Sequence, residues 1–441
     1  MCRPVAAALI DELIDWLRIP SISTGGGDPA DLARAADWVC ERVVAAGGTA
    51  EPDTTHGGNP LAVGELRAAD GDAPTVLIYG HYDVQSVGDV GDWSSPPFEP
   101  DIRDGRIYAR GAADDKGNFL PLLHVACALA GEDKLPVNVR VLVEGEEEAG
   151  SEAVAKWIAA DERGADCALV FDSGMADERT PAVTVGLRGM VMVEIDVRTA
   201  TRDLHSGLYG GSVLNALHVV HAMIATVAPG PDGRVRDELR IGIEPPAPAE
   251  LDSWQRLKPG DEVISEVGGK PVFPGAGAEY YERNGADASL EVNEIRGGEP
   301  RTVVPATAHA TLSLRLAPRQ QPAEIRDAME RLLRSVVPDG AEVSFQWHLA
   351  EPALSEADSP PVKLAAEALG RACGVPAALV RSGGSIPAVA ELVNHGIPTV
   401  VSGFVLPEDA FHAPNESYSL RSLELGERSA RELYTALADL R

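Results

Sequence analysis

The hydrophobic positions in the first part of the chain follow two patterns, one typical of helices and one typical of buried strands. Apolar residues recur every three or four positions in the segments that we predict to be helical: 6–18, 31–46, 118–129 and 151–160. Largely apolar runs, typical of strands covered on both faces, occupy residues 75–79, 139–143 and 168–171, the second of which includes Arg140. Helices alternating with such strands predict an α/β fold with a doubly wound, mostly parallel sheet.

After Gly186 the pattern changes to strict alternation, which is typical of half-buried antiparallel strands. The predicted elements from here to residue 347 are strands at 190–198, 302–316 and 341–347 and helices at 213–224 and 323–336. Residues 229–298 are rich in Gly, Pro and charge and receive no assignment. We expect a strand-helix-strand-strand-helix-strand order, which predicts a small α+β lid.

The last part of the chain returns to the first pattern. It predicts a helix at 362–371, a strand at 399–401 and a closing helix at 423–440. We therefore expect one domain built from residues 1–186 and 352–441, with the lid, residues 187–351, inserted into it.

Composition limits the partners that this chain can have. Its 441 residues carry a formal net charge of −30, which repels nucleic acid and anionic lipids, so we expect neither as a partner. No apolar run is long enough to cross a membrane. The cysteines are odd in number and lack C-x-x-C spacing: Cys2, Cys40, Cys127, Cys167 and Cys373. This pattern argues against a disulfide framework and a thiolate metal cluster, and it predicts a cytoplasmic location.

An acidic turn follows the strand predicted at 139–143, where Glu144, Glu146, Glu147 and Glu148 are interrupted only by Gly145. Carboxylates this close repel one another unless a cation neutralises them. A solvated acidic turn is the simpler alternative.

Two further strands also end in side chains that bind metals. His81 follows the strand at 75–79, and Asp172 follows the strand at 168–171. Open α/β sheets bind their ligands at the carboxyl ends of such strands, so we expect these side chains and the acidic turn to share one edge.

The candidate ligands include two imidazoles and several carboxylates but no thiol. Besides His81 and Asp172 they are Asp114, Glu147, Glu148 and His412. Asp83 stands two residues after His81 on an extended segment, where its carboxylate suits the second ring nitrogen of a metal-bound histidine. This set fits a pair of divalent ions, with zinc expected first and manganese or cobalt as alternatives.

Short motifs with this chemistry run through almost the whole chain. In order they are G-H-Y-D-V-Q at 80–85, R-G-A-A-D-D-K-G at 110–117, E-G-E-E-E-A-G-S at 144–151, D-L-H-S-G at 203–207, R-T-V-V-P at 301–305, G-G-S-I-P at 383–387 and the late His412. Together they make the sequence resemble the M20 family of metallopeptidases, and within it the carnosinase-like dipeptidase branch.

The resemblance implies a role for each candidate ligand. Asp114 would bridge two metal ions. His81 and Asp172 would complete the shell of one ion, and Glu148 and His412 would complete the shell of the other. The resemblance also implies a cis peptide bond between Asp114 and Asp115.

It implies catalytic roles as well. Glu147 would be the general base for a water activated by both ions, and Asp83 would orient His81. The expected reaction is hydrolysis of the amide bond of a dipeptide or short peptide in a catalytic domain formed by residues 1–186 and 352–441.

The lid would supply contacts to the substrate. The resemblance implies that His205 and Thr302 reach the site of a partner subunit in a homodimer formed through the lid, with His205 stabilising the developing oxyanion. Arg315 and Ser385 would hold the C-terminal carboxylate of the substrate within their own chain.

Two other functions remain open at this point. An amidohydrolase that removes acyl groups from amino acids would use the same metals and fold, whereas a non-catalytic metal-binding scaffold would have lost a ligand or the base. Ala149 and Glu146 depart from the pattern of the family, and residues 404–411 are more apolar than in typical carnosinases.

Overall fold

The computed structural model describes residues 7–440, which form two compact units. The first unit runs up to Val185 and also contains Ser355–Val380 and the residues from Ile386 onward. The second unit contains Gly186–Leu354 and Arg381–Ser385. Cys2 and Ala6, where the first helix is predicted to begin, lie outside the described residues.

The helices predicted from hydrophobic spacing are present, with ends shifted by a few residues. The α-helices are α1 (Ala7–Leu17), α2 (Pro29–Ala45), α3 (Lys116–Gly131), α4 (Glu152–Ala160), α5 (Ser206–Tyr209), α6 (Ala216–Val227), α7 (Pro248–Trp254), α8 (Gly260–Glu266), α9 (Tyr280–Gly285), α10 (Pro322–Arg334), α11 (Pro360–Cys373), α12 (Pro387–Asn394) and α13 (Leu420–Leu437).

The predicted strands are also present, together with others that the pattern did not indicate. The strands are β1 (Thr49–Asp53), β2 (Leu61–Leu66), β3 (Thr75–His81), β4 (Asp101–Arg103), β5 (Arg106–Tyr108), β6 (Asn138–Glu144), β7 (Cys167–Phe171), β8 (Ala182–Leu187), β9 (Gly189–Arg198), β10 (Leu204–His205), β11 (Ser289–Gly297), β12 (Val303–Val304), β13 (Thr307–Leu316), β14 (Glu342–Ala350), β15 (Ala353–Leu354), β16 (Ala378–Ser382), β17 (Thr399–Ser402) and β18 (Ser417–Ser419).

The central sheet of the first unit is mixed and mostly parallel, as the sequence predicts. Its strands lie in the order β1-β2-β6-β3-β7-β17-β8, and β6, β3, β7 and β17 run parallel to one another. Every residue of β6 and β7 is buried, which explains why these strands read as largely apolar. The charged side chain of Arg140 in β6 is paired with Asp161.

The flanking strands β1, β2 and β8 run antiparallel to their neighbours and were not predicted. β1 is largely exposed and contains Pro52, so it carries no hydrophobic pattern. β2 and β8 each contain a glycine, Gly64 and Gly186 respectively, which weakens the signal of a strand.

The second unit contains a separate antiparallel sheet with the strand order β11-β13-β9-β14. Buried side chains alternate along β9, and they pack with α6 and α10 in one hydrophobic core. β11 falls within the segment that received no assignment. It lies at the edge of the sheet and is exposed along most of its length, so its sequence lacks the alternation that a covered strand shows.

None of the helices within residues 7–440 combines the length and the apolar character that crossing a bilayer requires.

Leu169 tests the core of the central sheet because it is fully buried in the middle of β7. Leu169→Ala should lower the free energy of unfolding by about 2–5 kcal/mol, since it removes packed methyl groups and leaves a cavity. Ile102→Ala is the control in the same unit, because Ile102 is 43% exposed, and it should change stability by no more than about 0.5 kcal/mol. Equal effects in urea denaturation would contradict this description of the core.

Candidate metal centre

The predicted ligands lie at the carboxyl edge of the parallel strands. His81 is the last residue of β3, and Asp172 directly follows β7. Glu147 and Glu148 lie in the turn after β6, Asp114 precedes α3, and His412 lies in the loop between β17 and β18.

Five of these side chains form two ligand groups that share the carboxylate of Asp114. His81, Asp114 and Asp172 form the first group, and Asp114, Glu148 and His412 form the second. Within each group, the candidate ligand atoms lie within 4.8 Å of one another.

Asp114 serves the two groups with different oxygens. Its Oδ1 lies 3.1 Å from Nε2 of His81, and its Oδ2 lies 2.9 Å from Nε2 of His412. Nε2 of His412 also lies 3.0 Å from Oε1 of Glu148. The peptide bond between Asp114 and Asp115 is cis, as the resemblance to the M20 family implies.

The residues present fit two divalent cations. Nε2 of His412 lies within 3.0 Å of both Oε1 of Glu148 and Oδ2 of Asp114, so these three atoms converge as the ligands of one cation do. The donor atoms are imidazole nitrogens and carboxylate oxygens, which suit zinc and manganese.

Asp83 connects the end of β3 to the acidic turn. Its side chain accepts hydrogen bonds from the backbone N–H groups of Glu147 and Glu148, each at 3.2 Å, and from the hydroxyl of Ser23 at 2.6 Å. Nδ1 of His81 lies 3.4 Å from the Asp83 carboxylate and 3.0 Å from the Asp83 backbone carbonyl. The carbonyl, which the sequence did not indicate, is thus the nearer partner of the ring.

The four glutamates of the acidic turn separate into two pairs. Glu144 is fully buried and accepts hydrogen bonds from the hydroxyls of Tyr79 at 2.5 Å and Ser151 at 2.9 Å. Glu146 accepts backbone N–H groups of Asn59 and Ala153. These two carboxylates stabilise the turn, and only the other two glutamates face the ligand groups.

The electrostatics of the centre are those of crowded carboxylates and imidazoles. Burial, followed by the negative charges of Asp114 and Glu148, raises the pKa of Glu147 to about 7. Burial also raises the pKa of Asp172, whereas hydrogen bonds to His412 and His81 outweigh burial and lower the pKa of Asp114. Contacts with Asp114 and Glu148 raise the pKa of His412 to about 10.

The predicted substrate contacts all lie in the second unit. His205 and Thr302 lie next to each other, since β10 pairs with β12 and the carbonyl of Thr302 accepts the N–H of Ser206 at 2.9 Å. Arg315 lies on β13 opposite Met190, and Ser385 ends the short segment Arg381–Ser385.

Two side chains that form hydrogen bonds with the candidate ligand residues were not among the predicted residues. Gln85 donates a hydrogen bond from Nε2 to Oε2 of Glu148 at 2.8 Å. Glu416 accepts the backbone N–H of Asp114 at 3.1 Å. Gln85 is part of the G-H-Y-D-V-Q motif and could have been found there, but nothing in the local sequence distinguishes Glu416 from a surface acid.

Two ligand groups that share a carboxylate at a sheet edge have the donor set of a dinuclear metal site. Residues 77–436 match the model of peptidase family M20/M25/M40, and the chain belongs to this family. Peptidases of the M20 family are dinuclear metal enzymes.

Curated relatives come from the carnosine and Cys-Gly dipeptidase branch of this family. A cysteinylglycine-S-conjugate dipeptidase of Corynebacterium striatum is 28% identical over 405 residues, covering 88% of this chain and 87% of the relative. A Beta-Ala-His dipeptidase of Homo sapiens is 26% identical over 375 residues, covering 81% and 73%.

A solved structure supports the assignment to the M20 family. The M20 family metallo-carboxypeptidase Sso-CP2 from Sulfolobus solfataricus superimposes with a TM-score of 0.84 at 26% identity. The match covers 98% of this chain and all of that protein.

Metal binding should release protons, because a histidine binds a metal only after losing its proton and the raised pKa of His412 keeps that proton bound at neutral pH. Zinc affinity should therefore fall as pH decreases from 8 to 6, by about tenfold per pH unit for each proton displaced. Calorimetry in two buffers of different ionisation enthalpy measures the released protons. An affinity that does not change over this range would contradict the prediction.

Proposed function

We propose that this enzyme is a metallodipeptidase that hydrolyses the amide bond of dipeptides or short peptides with two divalent ions. The observation that carries the proposal is that two ligand groups share Asp114. The carboxyl group of Glu147 lies near this shared residue, since the charge of Asp114 contributes to the raised pKa of Glu147. The names of the curated relatives support dipeptides as the class of substrate.

Each ion has a proposed set of ligands. His81, Asp114 and Asp172 hold one ion, and Asp114, Glu148 and His412 hold the other. Zinc is the first candidate, and manganese and cobalt remain alternatives. When bound, the two ions supply an acidified water and a positive charge near the scissile carbonyl.

Glu147 is the proposed general base. It takes a proton from the attacking water and passes it to the leaving amine. Asp83 holds the backbone of the acidic turn and the ring of His81, so both the base and one ligand are oriented before substrate binds.

The second unit supplies the proposed substrate contacts. His205 would donate to the developing oxyanion, with Thr302 beside it, while Arg315 and Ser385 would bind the C-terminal carboxylate of the substrate. We further propose that residues 187–351 act as a lid and dimerisation domain, that His205 and Thr302 act in the site of the partner subunit, and that the enzyme is cytoplasmic.

Substitutions of Glu147 and Glu148 distinguish the proposed role of Glu147 as the base from that of Glu148 as a metal ligand. Glu147→Gln should lower kcat by about 100- to 10,000-fold while metal content stays near two ions per chain, because the base takes no part in holding the ions. Glu148→Gln should lose bound metal as well as activity. Elemental analysis beside a dipeptide assay checks both variants, and equal metal loss would reject the assignment of roles.

Mixing inactive chains tests whether two subunits share each site. Glu147→Ala and His205→Ala homodimers should both be inactive. After subunit exchange, the site on the His205→Ala chain keeps its own Glu147 and receives His205 from its partner, so activity should return. Exchange confirmed by mass-tagged chains without recovery of activity would contradict a shared site and leave the proposed metal chemistry intact.

A substrate panel separates the dipeptidase from an amidohydrolase of the same fold. We expect dipeptides with a free N-terminal amine to be hydrolysed with at least tenfold higher kcat/KM than N-acetyl amino acids, a difference of about 1.4 kcal/mol in transition-state binding. The reverse ranking with zinc or manganese present would identify the chain as a deacylase.

A further inference from the structure

Glu416 is a buried acid whose contacts all lie on the segment that carries Asp114. Its Oε2 accepts hydrogen bonds from Nη1 of Arg110 at 2.7 Å and from the backbone N–H of Gly111 at 2.9 Å. Its Oε1 accepts the backbone N–H groups of Ala113 at 2.9 Å and Asp114 at 3.1 Å. One fully buried carboxylate therefore binds four donors within five consecutive residues.

The same carboxylate belongs to the loop that carries His412. Glu416 is the fourth residue after His412, and the loop between them contains two non-glycine residues in the left-handed region, His412 at φ 62° and Asn415 at φ 62°. L-residues adopt this conformation at a cost, so the loop needs contacts that hold it in place. Glu416 holds it on one side of His412, and on the other side Asp409 pairs with Arg106.

We infer that Glu416 is a positioning residue for the dinuclear centre. Its hydrogen bonds connect the Asp114 segment to the His412 loop and so set the distance between these two ligands. It touches neither the substrate nor an ion and acts through the backbone of Asp114. This inference rests on the proposed function, because it concerns the ions that the two ligand groups hold.

A carboxylate is the side chain that this position requires. It offers two oxygens that accept hydrogen bonds, and its charge balances the buried guanidinium of Arg110. Glutamine has nearly the same shape, but its NH2 group would face N–H donors in place of an acceptor oxygen. Glu416→Gln should therefore let the Asp114 segment shift relative to His412.

The test compares Glu416→Gln with Asp161→Asn, which breaks a similar buried pair in the same unit. Asp161 accepts two hydrogen bonds from Arg140, at 2.7 and 2.9 Å, and the backbone N–H of Gly164 at 3.2 Å, and it is not part of either ligand group. Zinc affinity is measured by competition with a chromophoric chelator on the full chain, beside the melting temperature of each variant.

Glu416→Gln should weaken zinc binding by about 10- to 100-fold, the usual range for a residue that orients a ligand. Asp161→Asn should lower the melting temperature yet keep zinc affinity within about twofold of the parent chain. Should Glu416→Gln not fold, Glu416→Asp takes its place, because its shorter carboxylate keeps the charge but cannot reach all four donors.

Each outcome separates this inference from the proposed function. Two ions bound equally well by the parent and by the Glu416 variants would overturn the positioning role and leave the dipeptidase proposal intact. An equal loss of affinity in Asp161→Asn would also overturn it, since general destabilisation would then explain the effect. A parent chain that binds no zinc, manganese or cobalt would overturn the proposed function and, with it, this inference.

Discussion

The repulsion between carboxylates at one edge of the central sheet is the constraint on which the rest of the site depends. Asp114, Glu147, Glu148 and Asp172 face the same region with two imidazoles among them. Such a cluster is stable only with bound protons or cations, and burial together with the neighbouring carboxylates raises the pKa of both Glu147 and Asp172. Divalent ions are the cations that match these donors. Two such ions bound at this edge of the sheet would activate a water for hydrolysis.

A second layer of buried side chains keeps the cluster in place. Asp83 fixes the acidic turn to the end of β3, and Glu416 fixes the Asp114 segment to the His412 loop. Both act on backbone N–H groups, so they set where a ligand stands without occupying its donor atoms. Ligands from separate segments of the chain thereby reach fixed positions, which metal geometry requires.

The sequence predicted the central strands for a physical reason. Strands covered on both faces are mostly apolar, so hydrophobic runs marked β3, β6 and β7, and the polar residues that end these strands stood out. β11 was missed because an exposed edge strand needs no apolar face. Glu416 was missed because its partners lie more than 300 residues earlier in the chain, where only the folded structure brings them together.

The most direct test of this account is the metal content of Asp114→Asn compared with Asp172→Asn. Because Asp114 belongs to both ligand groups and Asp172 to one, Asp114→Asn should retain well under one zinc ion per chain, whereas Asp172→Asn should retain about one and the parent chain about two. Elemental analysis of the purified proteins after dialysis against zinc gives these numbers. Two zinc ions retained by Asp114→Asn would contradict the shared carboxylate on which the proposed dinuclear centre is built.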